Sequence, residues 1–241
     1  MRTVSRGVMA ALASAAFAVS GGQVAIAGDY KGDFMVRAGV SVVMPDAGAD
    51  VFSTGVGGLV AGADADISTE VIPSLTLTYF FNKNIAAELF CCFAKHDVEG
   101  KGAIAGADLG DTWIFPPAVT LQYHFDPMGG FKPYVGAGIQ YIAFFNEGRS
   151  PFTGTTMSID NAFGFTLQAG VDVELGGGWY ANLDVKKTWL DTEASWGDTG
   201  APLGVVTADV DVDPLIVSAN IGYRFNLSDI FGRRESYAPM K

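Results

Sequence analysis

The chain has 241 residues, with 26 acidic side chains against 15 basic ones and a formal net charge of −11. That acidity argues against nucleic acid as a partner. Hydrophobic residues make up 49% and glycine numbers 31, so the chain must bury this apolarity in a core or show it to lipid.

Residues 1–27 read as a secretory signal peptide. Arg2 and Arg6 supply the charged start, an apolar run follows, and Ala25-Ile26-Ala27 ends it in small residues. The apolar run is about 12 residues, well short of the roughly 20 that a membrane helix needs. Beyond it, residues 28–225 break into eight runs in which apolar side chains recur at every second position.

In the first run, about residues 33–43, Phe34, Val36, Ala38, Val40 and Val42 oppose Met35, Arg37, Gly39 and Ser41. The second sets Val71, Leu75, Leu77, Tyr79 and Phe81 against Ser74, Thr76 and Thr78. After Asn82-Lys83-Asn84, the third has Ile85, Ala87, Leu89, Cys91 and Phe93 against Glu88. The fourth carries Trp113, Phe115, Val119, Leu121, Tyr123 and Phe125 against Thr120, Gln122 and His124. Val135, Ala137, Ile139, Tyr141 and Phe145 mark the fifth, opposite Gly136, Gly138 and Gln140. The sixth sets Phe163, Phe165, Leu167, Val171, Val173 and Leu175 against Thr166, Gln168, Asp172 and Glu174. Gly176-Gly177-Gly178 turns into the seventh, with Trp179, Ala181, Leu183 and Val185 against Asn182, Asp184 and Lys186. The eighth has Leu215, Val217, Ala219, Ile221, Tyr223 and Phe225 against Ser218, Asn220 and Arg224.

Connections alternate between about three to five residues and about fifteen to twenty-five, the asymmetry of a bacterial membrane barrel. Tyr79, Phe81, Tyr123, Phe125, Trp179, Tyr223 and Phe225 share the parity of the apolar stripe and sit beside the short turns or the chain end. Such aromatics belong at a membrane interface. Phe93, Trp113, Phe115, Phe145, Phe163 and Trp189 form a looser belt at the opposite rim. The expected fold is therefore an all-β, eight-stranded antiparallel transmembrane β-barrel, an up-and-down meander in the outer membrane with both termini periplasmic. Residues 226–241 form a periplasmic tail.

A water-soluble barrel with its apolar face inward is the alternative. The polar face here is Gly, Ser, Thr and Gln with few charges, which suits a narrow lumen better than a solvated exterior. Lys187 breaks the outward pattern and is expected to snorkel or to be re-aimed by a bulge. Cys91 and Cys92, on opposite faces, are poorly placed to bond each other and read as small apolar fillers.

Several segments together resemble the outer membrane protein W (OmpW) family. They are Asn84-Ile85-Ala86-Ala87-Glu88-Leu89, Pro116-Pro117 with Thr120-Leu121-Gln122-Tyr123-His124-Phe125, Lys132-Pro133-Tyr134-Val135-Gly136-Ala137-Gly138 and Gln168-Ala169-Gly170-Val171-Asp172. Asp191-Thr192, Asp213-Pro214 and Gly222-Tyr223-Arg224-Phe225 complete the series. The resemblance implies a narrow, largely apolar channel in a Gram-negative outer membrane, passing small hydrophobic compounds with sideways release through the wall. Two departures stand out. The chain continues past Phe225, and Lys186 points inward where a bulky apolar lining residue is expected.

Eight strands leave an interior wide enough for side chains or one small ligand. Arg37, Glu88, Asp172, Asp184, Lys186 and Arg224 point inward in the periplasmic half and suggest a paired plug. Nearer the outer mouth, Val43, Ile72, Phe90, Ile142 and Ile216 suggest an apolar cup, with Val56, Leu59, Val60 and Ala61 of the first long loop as a flexible lid. Gly39, Gly136 and Gly138 either hold space at mid-height or simply let the narrow barrel close.

The expected role is a porter for a small hydrophobic solute. Its partners would be outer-membrane lipids, lipopolysaccharide and the barrel-assembly machinery. No cofactor and no metal are assigned. A lipid-modifying enzyme is a remote alternative, since His96 beside Asp97 is the one outer-rim histidine and no spacing ties Ser53, Ser150, Ser158 or Ser195 to it. A passive structural or adhesive barrel is the other alternative. Its acidic loop residues Asp46, Asp50, Asp64, Asp66, Asp108, Asp111, Asp198 and Asp209 show no twelve-residue calcium pattern.

Overall fold

The computed structural model describes residues 33–200 and 202–226, so residues 1–27 and nearly all of 226–241 lie outside the described part. The strands in chain order begin with β1 (Phe34–Met44), β2 (Gly48–Ser53), β3 (Gly58–Leu59), β4 (Ala63–Ile67), β5 (Glu70–Phe80) and β6 (Ile85–Cys92). Next come β7 (Ala94–Gly102), β8 (Asp108–Phe115), β9 (Ala118–His124), β10 (Phe131–Phe145) and β11 (Ser158–Ile159). The remainder are β12 (Ala162–Gly176), β13 (Trp179–Trp189), β14 (Asp191–Asp198), β15 (Val205–Asp211) and β16 (Leu215–Phe225).

Eight of these close into a ring. Going round it, β1 pairs β5, β5 pairs β6, β6 pairs β9 and β9 pairs β10. Then β10 pairs β12, β12 pairs β13, β13 pairs β16, and β16 returns to β1. Every pairing is antiparallel and follows chain order, so the ring is the expected meander and has no free edge.

Parity decides which way each side chain points. Leu121 is 59% exposed and Ile139 59%, whereas Gln122 and Gln140 are each 1% exposed. Two successive residues thus differ completely in surroundings, as a pleated wall one strand thick requires. At the end of the barrel with short turns, Tyr79, Phe81, Tyr123, Phe125, Trp179 and Tyr223 are exposed on the outer surface. They pair edge to face or tilted, with Tyr79–Phe81 centroids 5.0 Å apart and Trp179–Tyr223 5.0 Å apart. Phe225 stacks on Phe34 at 6.1 Å, closing the girdle where the first and last barrel strands meet. The turn after β12 runs through Gly176, Gly177 and Gly178, all with positive φ, which explains the three glycines there.

Lys187 faces outward opposite Leu167 and Leu215 and shows no bulge. It snorkels toward the end of the barrel with long connections, where its Nζ donates to the Asp213 carbonyl at 2.6 Å.

At that same end the expectation needs correcting. The long connections are built largely of strands rather than of open loops. β4, β7 and β8 extend the barrel wall upward, and β11, β14, β15, β2 and β3 form a separate five-stranded sheet. Trp196 on β14 ties the two together, its indole N–H donating to the Leu109 carbonyl at 2.9 Å. Of the four residues expected to line the lid, only Val60 packs against the interior, while Val56, Leu59 and Ala61 are exposed. The fourth run also divides. Pro116-Pro117 lacks two backbone donors, so β8 ends at Phe115 and β9 begins at Ala118.

Candidate functional site

The inward charges sit at one depth because β1, β6, β12 and β13 each place one or two there by parity. Arg37 lies at the centre. Its Nη2 meets Asp172 Oδ2 at 2.8 Å and its Nη1 meets Glu88 Oε2 at 2.9 Å. Lys186 Nζ bridges Glu88 at 3.0 Å and also bonds Asp184. Neutral groups fill the remaining lone pairs. Tyr134 donates to Asp184 at 2.6 Å, Gln168 Nε2 donates to Glu88 at 2.8 Å, and Asn182 Nδ2 donates to Asp172 at 2.9 Å. Five charges therefore form one fully buried, hydrogen-bonded layer across the lumen. Ionic groups tolerate such burial only when partners are this complete.

Arg224, grouped with these five from sequence, lies one layer toward the short turns. Its guanidinium carbon is 3.7 Å from the centre of the Phe80 ring. Beside it, His124 packs between Phe80 and Tyr134, with centroids at 5.1 and 4.8 Å, and its Nε2 shares a hydrogen bond with Gln122.

The glycines do not hold open space. A Cβ on Gly39 would lie 2.7 Å from Asn220 Cα, and one on Gly138 would lie 2.7 Å from Thr120 Cα. At Gly136 the room is taken by Gln168, whose Oε1 would be 3.0 Å away. They allow adjacent backbone to close in, and the mid-height lumen is filled.

Above the ionic layer the interior turns apolar. Phe90 is the lid of the plug, its ring 4.8 Å from Lys186 Nζ. Val43, Ile72, Phe90, Ile142 and Ile216 are all buried in one apolar cluster, as their parity implies. That cluster does not stop at the barrel mouth. It continues through Ala94, Val98 and Ile114 into Trp196, Ala208 and Val210 of the upper sheet.

Two cavities lie within it. The lower, about 40 Å³, is lined by Val43, Ile142 and Ile216 together with His96, Gln140 and Pro116. The upper, about 100 Å³, lies among Ala65, Leu109, Ala194, Trp196, Ala208 and other apolar groups. Ile67, Val98, Phe144, Ile159 and Val212 line both, so the cavities adjoin. Ile72 and Phe90 line neither and serve as packing beneath.

The wall beside the lower cavity is interrupted. Backbone pairing between the third and fourth runs ends at Phe90↔Ala118 and resumes at Ala94↔Ile114. In the gap Cys91, Cys92 and Phe93 lie opposite Phe115, Pro116 and Pro117. On the outer surface the seam is covered by rings, with Phe93 and Phe115 stacked at 4.9 Å.

His96 sits far from the role of a rim base. It is 2% exposed and its Nδ1 bonds the Ser68 carbonyl at 2.8 Å. The Ser53 and Ser150 hydroxyls donate to the Leu203 and Asp108 carbonyls. Several acidic loop residues have local structural partners instead. Asp66 pairs with Lys101 at 2.9 Å, Asp111 pairs with Lys95 at 3.0 Å, and Asp64 accepts from the Ala49 and Ala65 amides. Sequence reasoning did not single out His96 and Gln140 as cavity-lining groups, nor Tyr134, Gln168 and Asn182 as members of the plug. Their shared inward parity was the available signal.

The comparisons with known proteins agree with this architecture. The model of the OmpW family matches residues 30–225. An uncharacterized outer-membrane protein, y4mB, of Sinorhizobium fredii is 40% identical over 167 residues, covering 69% of this chain and 71% of that protein. The dibenzothiophene metabolism operon protein PahQ of Pseudomonas aeruginosa is 30% identical over 191 residues, covering 78% of this chain and 87% of its own. The crystal structure of the outer membrane protein OprG from Pseudomonas aeruginosa superposes with a TM-score of 0.75 at 32% identity, covering 84% of this chain and all of that one. A closed meander of eight strands, an apolar outer belt and a family match across nearly the whole described barrel lead to one conclusion: the chain is an outer-membrane β-barrel and belongs to the OmpW family.

Proposed function

We propose that the barrel is a porter for small hydrophobic molecules, which enter the apolar chamber through the strand-built cap and leave sideways at the Pro116-Pro117 seam. The observation that carries this reading is the stacking of an apolar chamber on a closed ionic layer. An apolar solute gains about 25 cal/mol for each Å² it withdraws from water. Passing downward would require parting buried ion pairs, at about 3–5 kcal/mol for each charge left alone. The seam lacks ladder hydrogen bonds and is held by aromatic contact, so it offers the lower barrier. That one relative is named for a dibenzothiophene metabolism operon fits an apolar cargo.

In the same reading residues 1–27 are removed on export, and both termini of the mature chain, with the short turns, face the periplasm. The cap then faces lipopolysaccharide, and the barrel-assembly machinery inserts the chain. A second reading, a barrel whose cap binds other surfaces, draws on the exposed apolar Phe52, Val56, Leu59 and Phe152.

The test is a proteoliposome uptake assay with a naphthalene-sized fluorescent hydrocarbon. Phe93→Cys with Phe115→Cys, in a background lacking Cys91 and Cys92, places a bridge across the seam. Oxidation should suppress transfer and reductant should restore it. Transfer unaffected by the bridge removes lateral release. Transfer equally unaffected by Ala208→Leu, which fills the upper cavity, removes the chamber.

A further inference from the structure

The lower cavity is apolar in outline but carries two buried hydrogen-bond acceptors. His96 is 2% exposed and Gln140 is 1% exposed, and both line it. His96 Nε2 and Gln140 Oε1 have no hydrogen-bond partner among the described residues. Such groups inside an apolar cluster are costly, and most buried polar atoms are paired.

The chemistry of each is set by its other bond. A carbonyl only accepts, so His96 Nδ1 carries the proton that is given to Ser68 O at 2.8 Å. The neutral ring is then left with a lone pair on Nε2. Burial holds the imidazole below its ordinary pKa, against the carboxylates of Glu70 and Asp97, so neutrality is the state at pH 7. By the same logic the Gln140 amide must turn its NH₂ to Pro116 O, at 3.2 Å, leaving Oε1 toward the cavity. Thr112, also in the lining, spends its hydroxyl proton on the Trp113 carbonyl at 3.3 Å. The two unpaired polar atoms of the site, His96 Nε2 and Gln140 Oε1, are both acceptors.

We propose that the lower cavity is a recognition subsite for solutes that carry one hydrogen-bond donor on an apolar body, such as a phenol, an alcohol or an indole-type N–H. The inference rests on the porter reading and sharpens it from any small hydrophobe to this class. The donor sits at His96 and Gln140, and the apolar body extends into the upper cavity through the residues common to both. A carboxylate would meet lone pairs and lose its hydration, and a plain hydrocarbon would leave both acceptors unpaired. Because Gln140 is itself bonded to Pro116, the donor is read directly behind the seam. Sites built to bond a hydroxyl reject analogues without one far more sharply than apolar pockets sort by size.

The experiment compares p-cresol with p-xylene, which differ by a hydroxyl in place of a methyl group. Binding to the full-length barrel in vesicles is corrected for partition into protein-free vesicles. The wild type should favour p-cresol by about tenfold, the size expected for one buried hydrogen bond. His96→Phe and Gln140→Met should bring the ratio toward one while keeping p-xylene binding. A readout independent of variants is the ¹⁵N shift of His96 Nε2, which should move with p-cresol and stay still with p-xylene. Equal corrected affinities and an unmoved Nε2 signal overturn the subsite, with water as the partner of both acceptors, and leave the porter intact. Binding of neither compound overturns the subsite and the chamber together.

Discussion

Replacing Arg37 with Met tests whether the plug is one coupled unit. Arg37 donates to Asp172 through Nε at 3.2 Å and Nη2 at 2.8 Å. Through Nη1 it donates to Thr78 at 2.6 Å and Glu88 at 2.9 Å. Its loss leaves three carboxylates facing the single ammonium of Lys186 in a layer that water does not reach. Stranding a buried charge in this way costs about 3–5 kcal/mol. Glu88→Gln behaves differently. It removes one of the three carboxylates, and Arg37 keeps Asp172 while Lys186 keeps Asp184, so the cost falls to about 1–2 kcal/mol from weakened charge-assisted bonds. The two variants thus separate charge balance from bond count. Urea unfolding in lipid vesicles, read by heat-modifiable gel mobility and tryptophan fluorescence, gives both values. Arg37→Met within about 1 kcal/mol of wild type, or Glu88→Gln as costly as Arg37→Met, would refute the coupled layer.

Other expectations follow from the same geometry. Leu121→Arg, on the lipid-facing belt, should impair stability by about 2–4 kcal/mol, whereas Val205→Arg, of comparable exposure but in the cap, should cost well under 1; equal costs in vesicle unfolding would mean the belt is misplaced. Gly138→Val should lose about 1–3 kcal/mol, because the new side chain meets Thr120 and Val119 backbone rather than open lumen, and an unchanged unfolding midpoint would show a wider barrel. His96 is held below its ordinary value, so the unfolded chain takes up more protons as pH falls beneath about 6.5. Its contribution is intact above that pH and is lost as pH falls toward the folded value. Cap stability measured by hydrogen exchange on β7 should therefore drop on acidification in wild type but not in His96→Phe.

Much of the barrel was legible because a wall one strand thick writes both of its environments into alternate residues. Leu75, Leu121 and Ile221 announce lipid, and Thr76, Gln122 and Asn220 announce the lumen. The inward charges were legible for the same reason. Their partners were not, since Arg37 and Asp172 meet across the lumen from strands that share no direct pairing. Arg224 shares their inward, buried face but sits one layer toward the short turns, because parity fixes a face and leaves depth to register.

The cap was hardest to see. In β14 and β15, Ala194, Trp196, Val206 and Ala208 alternate with Glu193, Ser195, Thr207 and Asp209, and the small or acidic residues made these stretches read as loops. His96 reads as a rim residue because its stretch reads as the second long loop, whereas it lies on β7 and shares parity with buried Ala94 and Val98. The split at Pro116-Pro117 was visible in the residues but hidden by apolar alternation on either side. Its consequence needs the third run opposite.

The chamber itself can be probed through Trp196, which lines the upper cavity, whereas Trp113, Trp179 and Trp189 are exposed on the barrel's outer face. With those three replaced by Phe, Trp196 is the sole indole of the chain. Titrating this variant in vesicles with a bromoalkane should quench Trp196 in a saturable way, displaced by non-brominated hydrocarbon. Quenching that merely tracks the bromoalkane's partition into lipid, matching a variant that retains only Trp189, would contradict an occupied apolar chamber above the plug.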